Sequence, residues 1–309
     1  MISIFFLIIG FLLQRLQVVR EREGHLVINQ LLLYVCLPAA TLLYTSQTVF
    51  QKSFLFPILM PWLVFVGSWG FFGLLNKYVG LHPHTKVVLI LTGGIPSISF
   101  VGFPFFEMIY GEVAMPAAVM MSQAGSFLVC STLGVLLATL YSPKLSNESL
   151  LHTSKLRILK NILRFPPFLS FCFALAINLL NIELPLPVTD LWRKLAEPFG
   201  FLSLISVGMQ IDFQRKNLQW SYLKWGLSYK LILAPMLILI VMYAINQRDM
   251  IGQMCVLGSG LGPMNTVSII AASYGLNPKL AAQMVGIGIP MSLLTTAFWY
   301  GLLLLIGYI

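Results

Sequence analysis

Charged residues are scarce in this chain of 309 residues. Only 9% of the residues are Asp, Glu, Lys or Arg, whereas a typical soluble domain has about 25%. Hydrophobic residues make up 58% of the chain, and the mean hydropathy is +0.87. This composition argues against a soluble domain. Its long uncharged runs predict a polytopic membrane protein rather than a singly anchored one.

Motifs of catalytic and metal centres are missing as well. The four cysteines lie in apolar runs without a Cys-x-x-Cys spacing, which predicts core residues rather than disulfides or metal ligands. His82 and His84 have no third ligand nearby, so we expect no metal and no cofactor. We find no His-x-x-Glu-His, no Gly-x-Ser-x-Gly and no paired intramembrane acids. We therefore expect that the protein is not an enzyme.

The net charge of +9 does not indicate a nucleic-acid partner. The 19 Lys and Arg residues occur in short clusters between apolar runs, without a continuous basic stretch that contains interleaved aromatic residues. Such clusters are typical of the connectors that orient a membrane protein in the bilayer. We therefore expect the lipid bilayer, and no nucleic acid, as the macromolecular surroundings of this chain.

The hydrophobic pattern predicts an all-α polytopic membrane protein with ten spans. Each span is near the length of about 20 residues that a bilayer core requires. A polar connector at 142–159 separates a first five-helix repeat, 1–141, from a second, 160–309. Because the number of spans per repeat is odd, the second repeat is inverted relative to the first. The predicted spans are 2–19, 26–47, 53–76, 86–109, 112–141, 160–181, 190–211, 218–246, 250–273 and 278–307.

The positive charges predict the orientation of these spans. Met1 leads directly into an apolar run, with no basic segment before it and no small-residue cleavage site after it, which predicts an uncleaved first span. With the N-terminus outside, fifteen of the 19 Lys and Arg residues fall on the inner side. The four outer ones are Lys52, Arg193, Lys194 and Arg248. The positive-inside rule thus predicts a multi-pass protein of the plasma (inner) membrane with both termini extracytoplasmic.

Glycine and proline interrupt two of the predicted spans. The fourth contains Gly-Gly-Ile-Pro-Ser-Ile-Ser-Phe-Val-Gly-Phe-Pro at 93–104, and the ninth contains Gly-Ser-Gly-Leu-Gly-Pro-Met-Asn-Thr at 258–266. Lipid cannot hydrogen-bond a broken backbone, so protein or a watery cavity must cover each break. Interruptions at matching positions of two repeats point to the substrate site of a secondary transporter. We therefore expect the fourth and ninth spans to be broken and to cross.

The candidate binding site lies at these two breaks. The half-helix that begins after each break offers free N–H groups and the positive end of its dipole. Two such ends near the midplane form an anion site without a buried charge. The alternative interpretation is a pair of ordinary kinks, which membrane helices tolerate. The residues assigned to substrate binding are Pro96, Ser97, Ser99, Pro263, Met264, Asn265 and Thr266.

Two further residues belong to the candidate site. Lys230 is the only basic residue well inside a predicted span, and an intramembrane charge is a functional candidate because its burial is costly. It would attract a carboxylate as a point charge, with snorkelling to the inner surface as the alternative. Asn29 lies in the second span, where it either faces the cavity or packs among the helices.

Several short motifs occur in the same order as in a known family. Residues 96–104 and Tyr110-Gly111 resemble Pro-Asn-Thr-x-x-x-Gly-x-Pro with a following Tyr-Gly, and 230–235 resemble Lys-Leu-x-Leu-x-Pro. Residues 262–265 resemble a ninth-helix break, and Asn29 with 37–39 resembles Asn … Leu-Pro-Ala. Together they resemble the auxin efflux carrier family, which includes plant PIN-type and bacterial organic-acid carriers. One position departs from that pattern, because Ser97 stands where the family usually has Asn.

The resemblance implies a carrier for a small organic anion, such as a carboxylate or an auxin-like acid. It also implies a fold like those of sodium–proton antiporters and bile-acid carriers. In this fold a static domain comprises spans 1, 2, 6 and 7, and a moving domain comprises spans 3–5 and 8–10. Alternating access then follows from an elevator-type sliding of one domain against the other. The sequence leaves the oligomeric state open, with a homodimer as one option.

Acidic residues are absent from the middle of every predicted span, which bears on the coupling ion. A Na⁺ or H⁺ site usually requires an intramembrane carboxylate or a set of hard oxygen ligands. Without one we expect potential-driven export, since an inside-negative potential favours anion exit by about 2.3 kcal/mol per charge per 100 mV. Backbone carbonyls at the breaks are also able to hold Na⁺. A Na⁺- or H⁺-coupled symporter of the bile-acid-carrier type therefore stays open as the alternative.

Overall fold

Every regular element in the described part of the chain is helical. The computed structural model describes residues 2–15, 24–49, 52–143, 165–209 and 218–306, so the predicted connector at 142–159 falls almost entirely outside it. The helices, in chain order, are α1 (Ile2–Arg15), α2 (24–46), α3 (Leu55–Val79), α4 (Pro83–Gly94), α5 (Ile98–Tyr110), α6 (Glu112–Leu140), α7 (Pro166–Leu179), α8 (Leu186–Ala196), α9 (Pro198–Met209), α10 (Trp220–Ala244), α11 (Met250–Ser259), α12 (Asn265–Ser273) and α13 (Pro278–Leu305).

Five apolar stretches are long enough to cross a membrane on their own. They contain between 20 and 29 residues, and at about 1.5 Å per residue the shortest of them matches the hydrocarbon thickness of a bilayer. The shorter apolar helices α5, α7 and α11 accompany them. The prediction of an all-helical fold is therefore confirmed for the described residues, and their long apolar helices are those of a polytopic membrane protein by length and composition. The five stretches are Val27–Ser46, Lys52–Val79, Glu112–Leu140, Trp220–Ala244 and Pro278–Leu305.

The described helices pack in two groups. In the first bundle, α1 lies against α9, and α2 lies against α7, α8 and α9. In the second bundle, α3 packs against α4, α6, α10 and α11, and α13 packs against α4, α10, α11 and α12. The bundles meet where α5 contacts α9 and where α6 contacts α2 and α7. Helices that are distant in the sequence thus share a bundle.

Both short helices that follow the predicted breaks end at a Tyr-Gly pair, as the sequence indicates. Gly111 after α5 has φ 74° and Gly275 after α12 has φ 67°, a backbone conformation that favours glycine. Tyr110 of α5 lies near the start of α11, where its hydroxyl contacts Gln253. Asn277, beyond α12, contacts Thr85 near the start of α4. The two stops therefore mark opposite ends of the second bundle, which we call the Glu112 end and the Asn277 end.

Candidate functional site

Two non-helical segments cross inside the second bundle. One comprises residues 95–97 between α4 and α5, and the other comprises 260–264 between α11 and α12. They pair like antiparallel strands at Pro96 and Pro263. The Ser97 N–H donates to the Gly262 carbonyl over 2.9 Å, and the Met264 N–H donates to the Ile95 carbonyl over 3.0 Å. Each break thus satisfies backbone groups of the other, as an environment without water requires.

The first break is narrower than its Gly/Pro-rich motif. Gly93 and Gly94 still belong to α4, and the Ile95 N–H donates to the Leu91 carbonyl over 3.1 Å, which continues the helical pattern. Pro96 has no N–H to donate, and residues 95–97 are not helical. The interruption therefore begins at the proline rather than at the glycines.

Protein covers the two sides of the crossing to different extents. Ser97 and Ser99 are buried, and so are Phe103 and Phe106 of α5. On α12, by contrast, Asn265 is half-buried, Thr266 is exposed, and Ile269 has an exposed fraction of 64%. The α12 side of the crossing is therefore less covered by protein than the α5 side, and α12 leads to the Asn277 end.

No side chain caps the first turn of either half-helix that leaves the crossing. Ser97 precedes α5 and Met264 precedes α12, and neither side chain forms a capping hydrogen bond. Elsewhere in the second bundle, Asp249 caps α11 through the Gly252 N–H, and Asn277 caps α13 through the Leu280 N–H. The starts of α5 and α12 thus present N–H groups and positive dipole ends next to the crossing, which is an arrangement suited to an anion.

Some buried polar atoms near the crossing have no hydrogen-bond partner in the described part of the chain. They include Asn265 Oδ1, Gln123 Oε1 and Ser126 Oγ. Gln123 and Ser126 lie in the widened turn Met121–Phe127 of α6, which packs against the first turn of α5. A buried oxygen without a partner costs about 1–3 kcal/mol. The sequence favoured interhelical hydrogen bonds for Gln123 and Ser126, so their importance as candidate ligand contacts emerges only from the structure.

Lys230 is buried in the second bundle, outside the two crossing segments. Its side chain has an exposed fraction of 0%, and Nζ has no partner among the described residues. It belongs to the widened turn Tyr229–Leu233 of α10, which packs against α4 and α13. Trp299 holds this turn by donating to the Leu231 carbonyl over 2.9 Å. Lys230 thus has no exposed surface, and a lysine buried without a partner is costly enough to indicate a functional role.

Asn29 lies in the other bundle. Its Oδ1 accepts a hydrogen bond of 2.5 Å from Ser206 Oγ, which joins α2 to α9. The structure therefore brings together the candidate residues of the two breaks, places Lys230 in the adjacent core, and leaves Asn29 in the first bundle.

Close packing of the crossing requires glycine at position 262. A Cβ atom there would lie 2.6 Å from the Ile289 Cα atom of α13. We expect Gly262→Ala to lower the free energy of unfolding by about 1–3 kcal/mol, because backbone must shift to admit the methyl group. The measurement is the melting temperature of the purified protein in detergent. Gly301→Ala, with no atom within 4 Å of its added Cβ, is the control, and equal melting temperatures for the two variants would contradict the packing.

Known proteins resemble this chain over almost its whole length. Residues 1–300 match the family described as "Membrane transport protein". The chain is 21% identical over 317 residues to an uncharacterized transporter from Methanocaldococcus jannaschii, covering 98% of this chain and 97% of the relative. It is also 21% identical over 299 residues to the uncharacterized transporter YfdV from Escherichia coli, covering 95% and 93% of the two chains.

The family match and the structure agree on what kind of protein this is. Long apolar helices and two crossed interruptions fit a membrane transporter. The resemblance to the auxin efflux carriers, first visible in short motifs, is confirmed over residues 1–300. The chain therefore belongs to the membrane transport protein family, the group of membrane transporters that includes the auxin efflux carriers.

Proposed function

We propose that this protein is a secondary transporter that carries a small organic anion, such as a carboxylate or an auxin-like acid, out of the cell. The observation that carries the proposal is the meeting of two uncapped half-helix N-termini at the Pro96–Pro263 crossing. Their N–H groups and positive ends favour an anion. Asn265 adds an amide that donates to a carboxylate through Nδ2 and accepts from a hydroxyl through Oδ1.

The proposed fold is the ten-span inverted repeat, with repeats 1–141 and 160–309 joined by the cytoplasmic connector 142–159. In this arrangement α4 with α5 forms the fourth span, and α11 with α12 forms the ninth. The positive-inside rule then places the Asn277 end in the cytoplasm and the Glu112 end outside a plasma membrane. Both chain termini are extracytoplasmic in this proposal.

The two bundles supply the parts for an elevator-type movement. The first bundle would stay fixed in the membrane, and the second, which contains the crossing, would slide against it. The exposed residues Thr266 and Ile269 of α12 and the buried first half of α5 correspond, in this proposal, to a conformation with the site open to the inside and closed to the outside. Sliding would reverse this exposure and deliver the anion to the other side, which is alternating access.

A second candidate function is a Na⁺- or H⁺-coupled organic-anion symporter. The unpartnered oxygens of Gln123, Ser126 and Asn265 favour it, because hard cations take oxygen ligands. Uptake into proteoliposomes with and without a Na⁺ or pH gradient separates the two functions. Transport that follows the membrane potential alone supports uncoupled export, whereas transport that requires either gradient supports the symporter.

A thermal-shift screen of the purified protein tests the proposed function. We expect at least one small carboxylate to raise the melting temperature, since a ligand at 100 times its Kd stabilises the folded state by about 2.7 kcal/mol. The uncharged amide of the same acid is the matched control and should give a smaller shift. The proposal would be contradicted if no carboxylate shifted the melting temperature and none left the proteoliposomes faster than it left protein-free liposomes.

A further inference from the structure

An ion pair joins the two bundles at the Glu112 end. Arg193 Nη1 lies 3.3 Å from Glu112 Oε2. Arg193 is on α8 of the first bundle, whereas Glu112 is the first residue of α6 in the second bundle. The contact thus connects the bundle proposed to stay fixed to the bundle proposed to move.

The ion pair borders a crevice of about 40 Å³ between the bundles. Glu107, Glu112 and Glu197 line the crevice, and Arg193 is the only cation among its described lining residues. Glu107 closely approaches Gly200 of α9 in the first bundle. Its Oε2 lies 3.4 Å from the point that a Cβ atom on Gly200 would occupy. Without the guanidinium, carboxylates from both bundles would repel each other across the boundary.

An aromatic layer lies between this crevice and the crossing. Phe199 of α9 contacts Phe100 and Phe103 of α5, with ring centroids 6.0 and 5.5 Å apart. Phe103 and Phe199 are buried, and Phe100 lies on the first turn after the break. Phe103 and Phe199 also line the crevice, so the three rings pack between the crevice and the first turn after the break.

We infer that Arg193 acts as an electrostatic latch on the crevice at the Glu112 end, which we call the outer mouth. It holds the carboxylates of the two bundles together while the substrate site is open to the inside, and it separates from Glu112 when the mouth opens. The inference rests on the proposed function for the outward direction of the Glu112 end and for the movement of the bundles. Arg193 deepens that function by naming the contact that sets the balance between the inward-facing and outward-facing states.

The two partners of the ion pair are not equivalent. Their side chains have exposed fractions of 46% and 61%, so water screens the attraction, and its loss should change the ratio of open to closed mouths severalfold rather than abolish closure. Arg193→Gln leaves three carboxylates facing one another. Glu112→Gln leaves Arg193 facing Glu107 and Glu197. We therefore expect the arginine substitution to have the larger effect.

Cysteine accessibility measures this ratio without a substrate. Ala40 of α2 lines the crevice and is buried, so Ala40→Cys reports opening when the exposed Cys172 is replaced by Ser. With a membrane-impermeant maleimide added outside, Arg193→Gln should raise the alkylation rate by about 2- to 5-fold, and Glu112→Gln by less than about 2-fold. Lys194→Gln, the neighbouring position on α8, is the matched control and should leave the rate unchanged.

Second substitutions distinguish a latch from a local structural effect. Two double variants should return the alkylation rate toward that of the parent. One is the charge swap Arg193→Glu with Glu112→Arg, and the other combines Arg193→Gln with Glu197→Gln. Equal rates for Arg193→Gln, Lys194→Gln and the parent would overturn the inference, and so would a charge swap as fast as Arg193→Gln. Failure of the carboxylate screen with this alkylation pattern intact would refute the proposed substrate but not the latch.

Discussion

Replacement of Asn265 by Ala should weaken anion binding by at least about tenfold and leave the protein folded. Asn265 is the first residue of α12, and its Oδ1 has no hydrogen-bond partner in the described part of the chain. A hydrogen bond to a charged group contributes about 1.5–3 kcal/mol, and 1.4 kcal/mol corresponds to a tenfold change in Kd. The measurement is a titration of the melting temperature with the carboxylate selected by the screen.

Asn178→Ala is the control with the opposite expected pattern. Asn178 Nδ2 donates to the carbonyls of Thr45, Ser46 and Thr48, which joins α7 to the end of α2. Its loss should lower the melting temperature of the free protein, because carbonyls lose their partner, and leave the Kd for the anion unchanged. An Asn265→Ala protein that binds the anion as tightly as the parent would contradict the assigned site.

Lys230→Met should stabilise the protein and abolish most transport. The lysine is fully buried without a partner among the described residues, and a methionine of similar length removes the cost of burying an ammonium group. We expect a gain of about 1–3 kcal/mol in the free energy of unfolding, by analogy with buried charges replaced by apolar residues. The loss of this buried amine, which lies on the helix that packs against α4 and α13, should reduce anion efflux by at least about tenfold.

The melting temperature and the efflux rate from proteoliposomes together test this prediction. Lys224→Met is the matched control, because Lys224 lies on the same helix, is exposed, and has its Nζ 5.4 Å from the centroid of the Trp225 ring. It should change neither quantity substantially. A Lys230→Met protein that transports at the rate of the parent would show that the buried charge is not required.

Local sequence predicted where the helices of the site break. Pro96 and Pro263 have no N–H and remove a helical hydrogen bond, but Pro61 lies inside α3 and Pro290 inside α13 without ending the helix, so it is proline together with the neighbouring glycines that indicates the breaks. The ends of α5 and α12 at the Tyr-Gly pairs could be predicted in the same way. Gly111 and Gly275 adopt positive φ, a conformation that glycine allows. The crossing of the two breaks could be predicted because an interrupted backbone in lipid must find partners in protein.

The partners of individual side chains could not be predicted in this way. Lys230 was expected to line a cavity or to snorkel, but its surroundings depend on how α10 packs against α4 and α13. The bond from Ser206 to Asn29 and the ion pair between Arg193 and Glu112 join residues 177 and 81 positions apart. Pairs at such separations depend on how whole helices pack, which the hydrophobic pattern of each helix does not encode.

The position of the bound anion is the most direct measurement of what the crossing does. Crystals of the protein with a brominated form of the selected carboxylate would locate the bromine by anomalous scattering. We predict a peak beside the Pro96–Pro263 crossing, with the carboxylate oxygens within about 3.2 Å of N–H groups at the starts of α5 and α12. A peak elsewhere in the molecule, with no ligand density at the crossing, would contradict the assigned site.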